Sequence, residues 1–236
     1  MGKLLCLEDS YLKECGAVVE KMLSPTEAAL DQTVFYPRGG GQPSDTGKII
    51  SGGAEYAVLE VSKKDGVAVH RLDKPGLAAG MEVKCVIDWE RRYKLMRSHT
   101  AAHILATVMA RDAGALITGN QLDTDKTRFD FSLANFDREL MDRMVAAANE
   151  EIAKGARVKA YPLAREEAMK IPGIVKLATA LPPDIPVFRI VEIKGIDVQA
   201  DGGTHVKNTS EIGKISIIRM ENKGKENRRI YFELVA

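Results

Sequence analysis

The chain of 236 residues has four histidines, and three of them fall in two short motifs, His99-Thr100-Ala101-Ala102-His103 and Asp201-Gly202-Gly203-Thr204-His205. Imidazole is the side chain best suited to hold a divalent transition metal near neutral pH. On a helix, residues i and i+4 lie one turn apart on one face, so His99 and His103 can offer two ring nitrogens to one ion. The downstream motif adds a third imidazole and a carboxylate. Three His and one Asp make a tetrahedral zinc shell, closed if Asp201 ligates and open if it does not. Most lone His-x-x-x-His pairs bind nothing, and His205 alone fits an ordinary loop, so the inference rests on the two motifs together. Zinc proteases share the first spacing but place Glu directly after the first His as general base. Thr100 holds that position here. The protease reading therefore fails on chemistry, while polarisation of a carbonyl at zinc does not.

Positioning these groups requires a helix and a loop fixed by other elements. The periodicity predicts a helix from Arg91 to about Ala113, with Leu95, His99, His103 and either Ala106 or Thr107 on one face and Gly114 as its stop. Before it, Thr33 to Tyr36, Glu55 to Val61, Val67 to Leu72 and Glu82 to Asp88 read as short strands. Asp65-Gly66 is a hairpin turn signal. Short strands with turns suggest a small barrel or sandwich. After the helix, strands are expected at Thr127 to Phe131, Val158 to Leu163, Val187 to Ile193, Ile215 to Met220 and Ile230 to Val235. Asp137 is a good N-cap for a second helix through Lys154, stopped by Gly155, and a short helix is expected around Arg165 to Lys170. Leu181-Pro182-Pro183-Asp184 reads as a rigid connection. The elements do not alternate strictly, which favours an α+β fold with a mostly antiparallel sheet.

Composition narrows the function classes. Lys and Arg number 34 against 33 Asp and Glu, for a net charge of +1, and hydrophobic residues make up 45%. Nothing global calls for nucleic acid or membrane, so any RNA contact must come from a local patch. Cys6, Cys15 and Cys85 are an odd, scattered set and fit reduced thiols. Glu8 and Asp9 follow the N-terminus too closely for a signal peptide. No apolar stretch is long enough to span a membrane. The expected location is the cytoplasm. Oligomeric state is open, with a monomer favoured.

The residues around both motifs carry a resemblance. Arg97-Ser98-His99-Thr100-Ala101-Ala102-His103, Arg128-Phe129-Asp130-Phe131, and Gly202-Gly203-Thr204-His205-Val206 with Asn208-Thr209 and Glu211-Ile212-Gly213 resemble the editing domain of alanyl-tRNA synthetase. Phe35 to Gln42, with Asp45-Thr46-Gly47, resembles the glycine-rich segment of the longer AlaX proteins, the freestanding relatives of that domain, and Lys223-Gly224-Lys225 and Arg228-Arg229-Ile230 also match. The resemblance runs in order along nearly the whole chain. It implies a small N-terminal β-barrel domain over 1–89 and, over 90–236, an α/β two-layer editing domain.

The activity implied is hydrolysis of the ester joining a wrong amino acid to alanine tRNA, with serine the expected substrate, glycine a possible second, and one zinc per chain. An alanine pocket cannot exclude glycine by size, nor strongly reject serine's added hydroxyl, because one methylene or hydroxyl is worth only roughly 1–3 kcal/mol. By this resemblance His99, His103 and His205 match zinc ligands. Asp201 stands where the family usually has Cys, either ligating or holding a zinc-bound water and acting as base. Asp201 and His103 are the expected catalytic residues. Gly39, Gly40, Gly41 and Gln42, Thr118, Asn120 and Gln121, and Gly202, Gly203 and Thr204 are the expected substrate contacts. The plainer alternatives are a tight turn at the glycines and a polar turn at Thr118 to Gln121. Arg91, Arg92, Lys94 and Arg97, and Arg219, Lys223, Lys225, Arg228 and Arg229, form two basic clusters able to meet tRNA phosphates. Neither membrane nor DNA is an expected partner. Editing of a threonine type and a metal-free tRNA-binding module are the alternatives.

Overall fold

The computed structural model describes residues 2–133, 137–174 and 185–235. Leu181 to Asp184 lie outside the described residues. The chain is α+β and forms two compact units, Met1–Met96 and Arg97–Ala236, with the division falling inside its longest helix.

In the first unit, β1 (Lys3–Leu4) and helix α1 (Leu5–Glu8) precede β2 (Glu14–Ser24), β3 (Glu27–Leu30), β4 (Gln32–Thr33), β5 (Gly47–Ser51), β6 (Ala54–Lys64), β7 (Val67–Leu72) and β8 (Glu82–Ile87). Six strands close a barrel in the order β2-β3-β7-β6-β5-β8 with antiparallel neighbours, and closure leaves no edge open to pairing. Alternation fills the interior: Ala17 and Val19 from β2, and Val83, Cys85 and Ile87 from β8. A register shift between Val58 and Glu60 changes the parity of β6, so Tyr56, Val58 and Val61 all reach the core. Cys15 and Cys85, far apart in sequence, face each other across β2 and β8 as free thiols.

The strand expected at Thr33 to Tyr36 is shorter than the sequence suggests. Beyond Thr33 the backbone leaves the ladder, because side chains accept its donors: Thr33 Oγ1 accepts from Phe35 N at 3.1 Å and Asp45 Oδ2 from Tyr36 N at 2.6 Å. That places Asp45 beneath Arg92, in the first turn of α2 (Trp89–Ala113). Both side chains are fully buried. The Arg92 guanidinium pairs with Asp45 through Nε and Nη2, and donates to Ser10 O at 2.9 Å and Val34 O at 2.8 Å. Arg92 is therefore a core residue and not the RNA contact that its basic neighbours suggest, since a phosphate needs a cation at the surface.

The fourth histidine, His70, is also in the barrel core. Thr33 Oγ1 lies 2.8 Å from its Nε2 and Ala28 O lies 3.2 Å from its Nδ1. Burial lowers its pKa to about 4. The unfolded chain, with an ordinary imidazole, then binds more protons than the folded one between about pH 6.5 and pH 4. Stability is full above that window and falls as pH drops through it. His70→Gln is expected to remove up to about 3 kcal/mol of the acid dependence. Denaturant melts of both proteins at pH 7 and pH 4.5 check this, and equal pH slopes would contradict it.

The second unit holds the remainder of α2, then β9 (Ile117–Gln121), β10 (Thr127–Ser132), α3 (Arg138–Ala153), β11 (Val158–Ala164), α4 (Arg165–Ala168), β12 (Val187–Ile193), β13 (Asp197–Ala200), a 3-10 turn (Thr209–Glu211), β14 (Lys214–Asn222) and β15 (Asn227–Val235). The strands form two antiparallel sheets, ordered β14-β15-β10-β9 and β11-β12-β13. Helix α2 is buried all round in its middle, with Ala101, Ala102, Ile104, Leu105, Ala106, Val108 and Met109 out of solvent. Gly114, at φ +62°, ends it as expected. Asp137 caps α3 by accepting from Glu139 N at 2.9 Å. Asn149 of α3 pairs with both backbone groups of Ile215, tying the helix to β14.

Candidate metal centre

The first two imidazoles sit on a helix with no room to shift, and His99 and His103 are themselves buried. The third is set by a loop. Strand β13 ends at Ala200, and Asp201 N still reaches back to Arg189 O of β12 at 3.0 Å. The chain then turns, and Asp201 Oδ2 accepts from Gly203 N at 2.6 Å. After His205 a second lock follows. Asn208 and Glu211 form a capping box, and Thr209 Oγ1 donates to Ile152 O at 2.9 Å and accepts from Ala156 N at 2.8 Å. Arg97 grips Ile212 O through Nε and Nη2 at 3.1 and 2.6 Å. Gly213, at φ +82°, passes where a Cβ would lie 2.3 Å from Val235 O, which only glycine tolerates. The Asn-Thr and Glu-Ile-Gly residues thus anchor the His205 loop.

The result is a convergence. One ligand atom from each of His99, His103, Asp201 and His205 lies within 4.8 Å of the others. All three imidazoles turn Nε2 toward Asp201: His205 Nε2 is 3.0 Å from Oδ2, and His99 and His103 Nε2 are 3.5 and 3.9 Å from Oδ1. The Nδ1 atoms face away from this point in two cases. His103 Nδ1 meets Asp197 Oδ2 at 3.0 Å, and His205 Nδ1 meets Thr100 Oγ1 at 3.1 Å. Thr100, in the position a protease gives to Glu, therefore orients the third imidazole and also accepts from Val206 N.

The electrostatics follow from burial. Desolvation holds His99 well below its usual range and His205 at about 4, so both are neutral. Burial acts on His103 in the same direction, but the Asp197 and Asp201 carboxylates outweigh it and lift the ring to about 9. Burial raises Asp201, and the surrounding imidazoles more than reverse this, leaving it ionised.

The donor set fits zinc. Zn–N and Zn–O bonds near 2.0–2.2 Å place tetrahedral ligands roughly 3.4 Å apart, close to the spacings present. Buried imidazoles sharing a carboxylate, with two outer nitrogens already hydrogen-bonded, match the outer-partner pattern of metal histidines.

The other expected contacts are spread over both units. Gly39 and Gln42 exchange backbone hydrogen bonds around Gly40 and Gly41, both at positive φ, which makes a tight two-residue turn. Gly202 is exposed, whereas Gly203 and Thr204 are buried. Thr118, Asn120 and Gln121 lie in strand β9 rather than a polar turn, and Thr118 Oγ1 donates to Asn227 Oδ1 at 3.0 Å. Among the basic residues, Arg91 donates to Ser44 O at 3.3 Å. Arg228 is buried, donating to Asn222 Oδ1 and to the carbonyls of Gly224, Lys225 and Asn227, so it shapes the β14–β15 turn instead of facing RNA. Arg229 forks onto Asp130 at 2.6 and 2.8 Å. Arg219 and Lys223 both pair with Glu221 but remain well exposed, as is Lys225. Sequence reading missed Asp197 and Gln199. The signal was present: Asp197, Gln199 and Asp201 alternate, the i, i+2, i+4 pattern of one strand face.

Comparison with known proteins places this centre in a family. A family model described as the threonyl and alanyl tRNA synthetase second additional domain matches residues 188–231, the stretch carrying Arg189, Asp197, Asp201 and His205. A class II (A) tRNA synthetase model matches residues 12–91. The chain is 49% identical to the alanyl-tRNA editing protein AlaX-M of Methanosarcina barkeri, over 100% of both proteins. It is 46% identical to the AlaX-M of Saccharolobus solfataricus, over 98% of each. It is also 38% identical to the alanine–tRNA ligase of Pyrococcus abyssi, where 98% of the chain aligns with 25% of that longer protein. With full-length identity of this order and the convergent His and Asp motifs, the chain belongs to the AlaX-M family of alanyl-tRNA editing proteins.

Proposed function

We propose that this chain is a trans-acting deacylase that hydrolyses mischarged alanine tRNA, Ser-tRNA(Ala) first and Gly-tRNA(Ala) second, with zinc held by His99, His103 and His205. The observation that carries the reading is the convergence of three buried Nε2 atoms on Asp201. A metal-free RNA-binding module has no use for it. Zinc bound there would supply a Lewis acid for the ester carbonyl.

The chain's own residues account for the rest. Asp201 Oδ2 is fixed by Gly203 N–H, which leaves Oδ1 on the side of His99 and His103. Oδ1 is the base that takes a proton from the attacking water and returns it to the leaving 3′-terminal ribose oxygen as the ester bond breaks, giving free serine and intact tRNA. His103, clamped behind by Asp197, keeps its inner nitrogen aimed at that oxygen. Gly202, Gly203 and Thr204 are assigned to the substrate beside it. Serine must be distinguished from alanine by a hydrogen bond to its hydroxyl, and Thr118, Asn120 and Gln121 are the side chains assigned to that contact. The glycine turn at Gly39 to Gly41, with Gln42, is assigned to the substrate as well. Arg91, Arg97, Lys223, Lys225 and Arg229 are the remaining tRNA contacts, of which exposed Lys223 and Lys225 are best placed to meet phosphate.

The test is serine release from Ser-tRNA(Ala), with Ala-tRNA(Ala) as control. Fast loss of serine with alanine spared is the expected result. Equal rates on the two substrates, or no release from folded, zinc-loaded protein, would overturn the reading.

A further inference from the structure

Asp197 lies outside the metal-ligand set, yet it is the more deeply buried of the two carboxylates near the imidazoles, its side chain about 1% exposed against 16% for Asp201. A buried carboxylate is costly unless hydrogen-bonded. Its Oδ2 has two donors, His103 Nδ1 at 3.0 Å and Gln199 Nε2 at 2.7 Å. Asp197 and Gln199 are alternate residues of β13, so both side chains leave one face of the strand toward α2. The Asp197 oxygen accepts from the ring, which holds one proton of His103 on Nδ1, so Nε2, on the side of Asp201, is the nitrogen left to a metal once the ring gives up its second proton. At His205 Nδ1 the partner is the Thr100 hydroxyl, a neutral group.

We propose that Asp197, braced by Gln199, is the positioning residue of the metal centre: it sets the tautomer and ring plane of His103 and strengthens that imidazole as a metal donor. The proposal rests on the zinc reading above and extends it to residues that never touch the ion. A carboxylate behind a ligating imidazole raises its basicity and removes its rotational freedom, so its loss weakens the metal and not merely the fold. Gln199 acts one step further out. Its amide holds Oδ2 in place at 2.7 Å.

The experiment compares wild type, Asp197→Asn and Gln199→Met, each shown folded by circular dichroism and melting. Zinc affinity is measured by competition with a chromogenic chelator, and the visible spectrum of the cobalt-substituted protein reports ligand geometry. Asp197→Asn keeps the shape and removes the charge. It is expected to lower zinc affinity roughly 10–100-fold and to shift the cobalt bands. Gln199→Met, which keeps the carboxylate, is expected to give a smaller loss in the same direction, and it carries the test if Asp197→Asn does not fold. Wild-type affinity and an unchanged cobalt spectrum in both variants would overturn the proposal while leaving the zinc reading intact. A wild-type protein that binds no zinc would overturn that reading, and the proposal with it.

Discussion

His205→Ala is expected to lose serine release from Ser-tRNA(Ala) by at least on the order of 10³-fold, together with its zinc. Two imidazoles on one helix face make an incomplete shell, and the loop imidazole closes it. The loop itself should survive the change. The Asn208–Glu211 capping box, the Thr209 hydrogen bonds to Ile152 and Ala156 and the Arg97 grip on Ile212 do not involve the His205 ring. Activity should therefore collapse with little change in melting temperature measured on the metal-free proteins. Asp201→Asn separates the base from the ligands. If Asp201 takes the proton, zinc is retained and the rate falls by roughly 10²–10⁴. A variant with both zinc and full activity would sink the role given to Asp201, and an active, zinc-loaded His205→Ala would sink the centre.

The second large effect is on stability. Arg92→Ala leaves the buried Asp45 without its guanidinium partner and takes the Arg92 donors from the carbonyls of Val34 and Ser10. Breaking a buried pair on one side costs about 3–5 kcal/mol. In a unit of this size that is a fall in melting temperature on the order of 10 °C or more. Arg92→Lys keeps the charge but replaces a planar fork with one ammonium, which cannot reach Asp45 and both carbonyls in the same directions, so it should recover only part of the loss. An unchanged melting curve for Arg92→Ala would contradict the account of the barrel core.

The readability of this chain divides along physical lines. Local periodicity and capping are written in consecutive residues, so α2, α3 with its Asp137 cap, the Gly114 stop and the antiparallel character of the sheets all appear in the sequence. The metal motifs were legible for the same reason: i, i+4 spacing on a helix and a compact Asp-x-x-x-His loop. Partnerships between distant residues were not. Arg92 and Asp45 are distant in sequence, and a basic residue in a run with Arg91 and Lys94 looks like surface until its partner is known. Arg228 misled in the same way, because the carbonyls that bury it are backbone and carry no sequence signature. Strand β9 was not expected, and a polar turn was only the plainer alternative at Thr118 to Gln121; its Gly, Asn and Gln are poor strand formers, and pairing with β10 overrides that propensity. Asp197 and Gln199 do alternate visibly with Asp201, but only the fold shows that their face meets His103.

Editing by this centre depends on a zinc ion held by the three imidazoles, with Asp201 beside it as the base. The direct measurement is zinc per chain in the purified protein, followed by serine release from Ser-tRNA(Ala) before chelation, after it, and after zinc is restored. The expected result is one zinc per chain, loss of serine release on chelation and its return with zinc, with Ala-tRNA(Ala) spared throughout. Folded, metal-free protein that releases serine at an undiminished rate would contradict it.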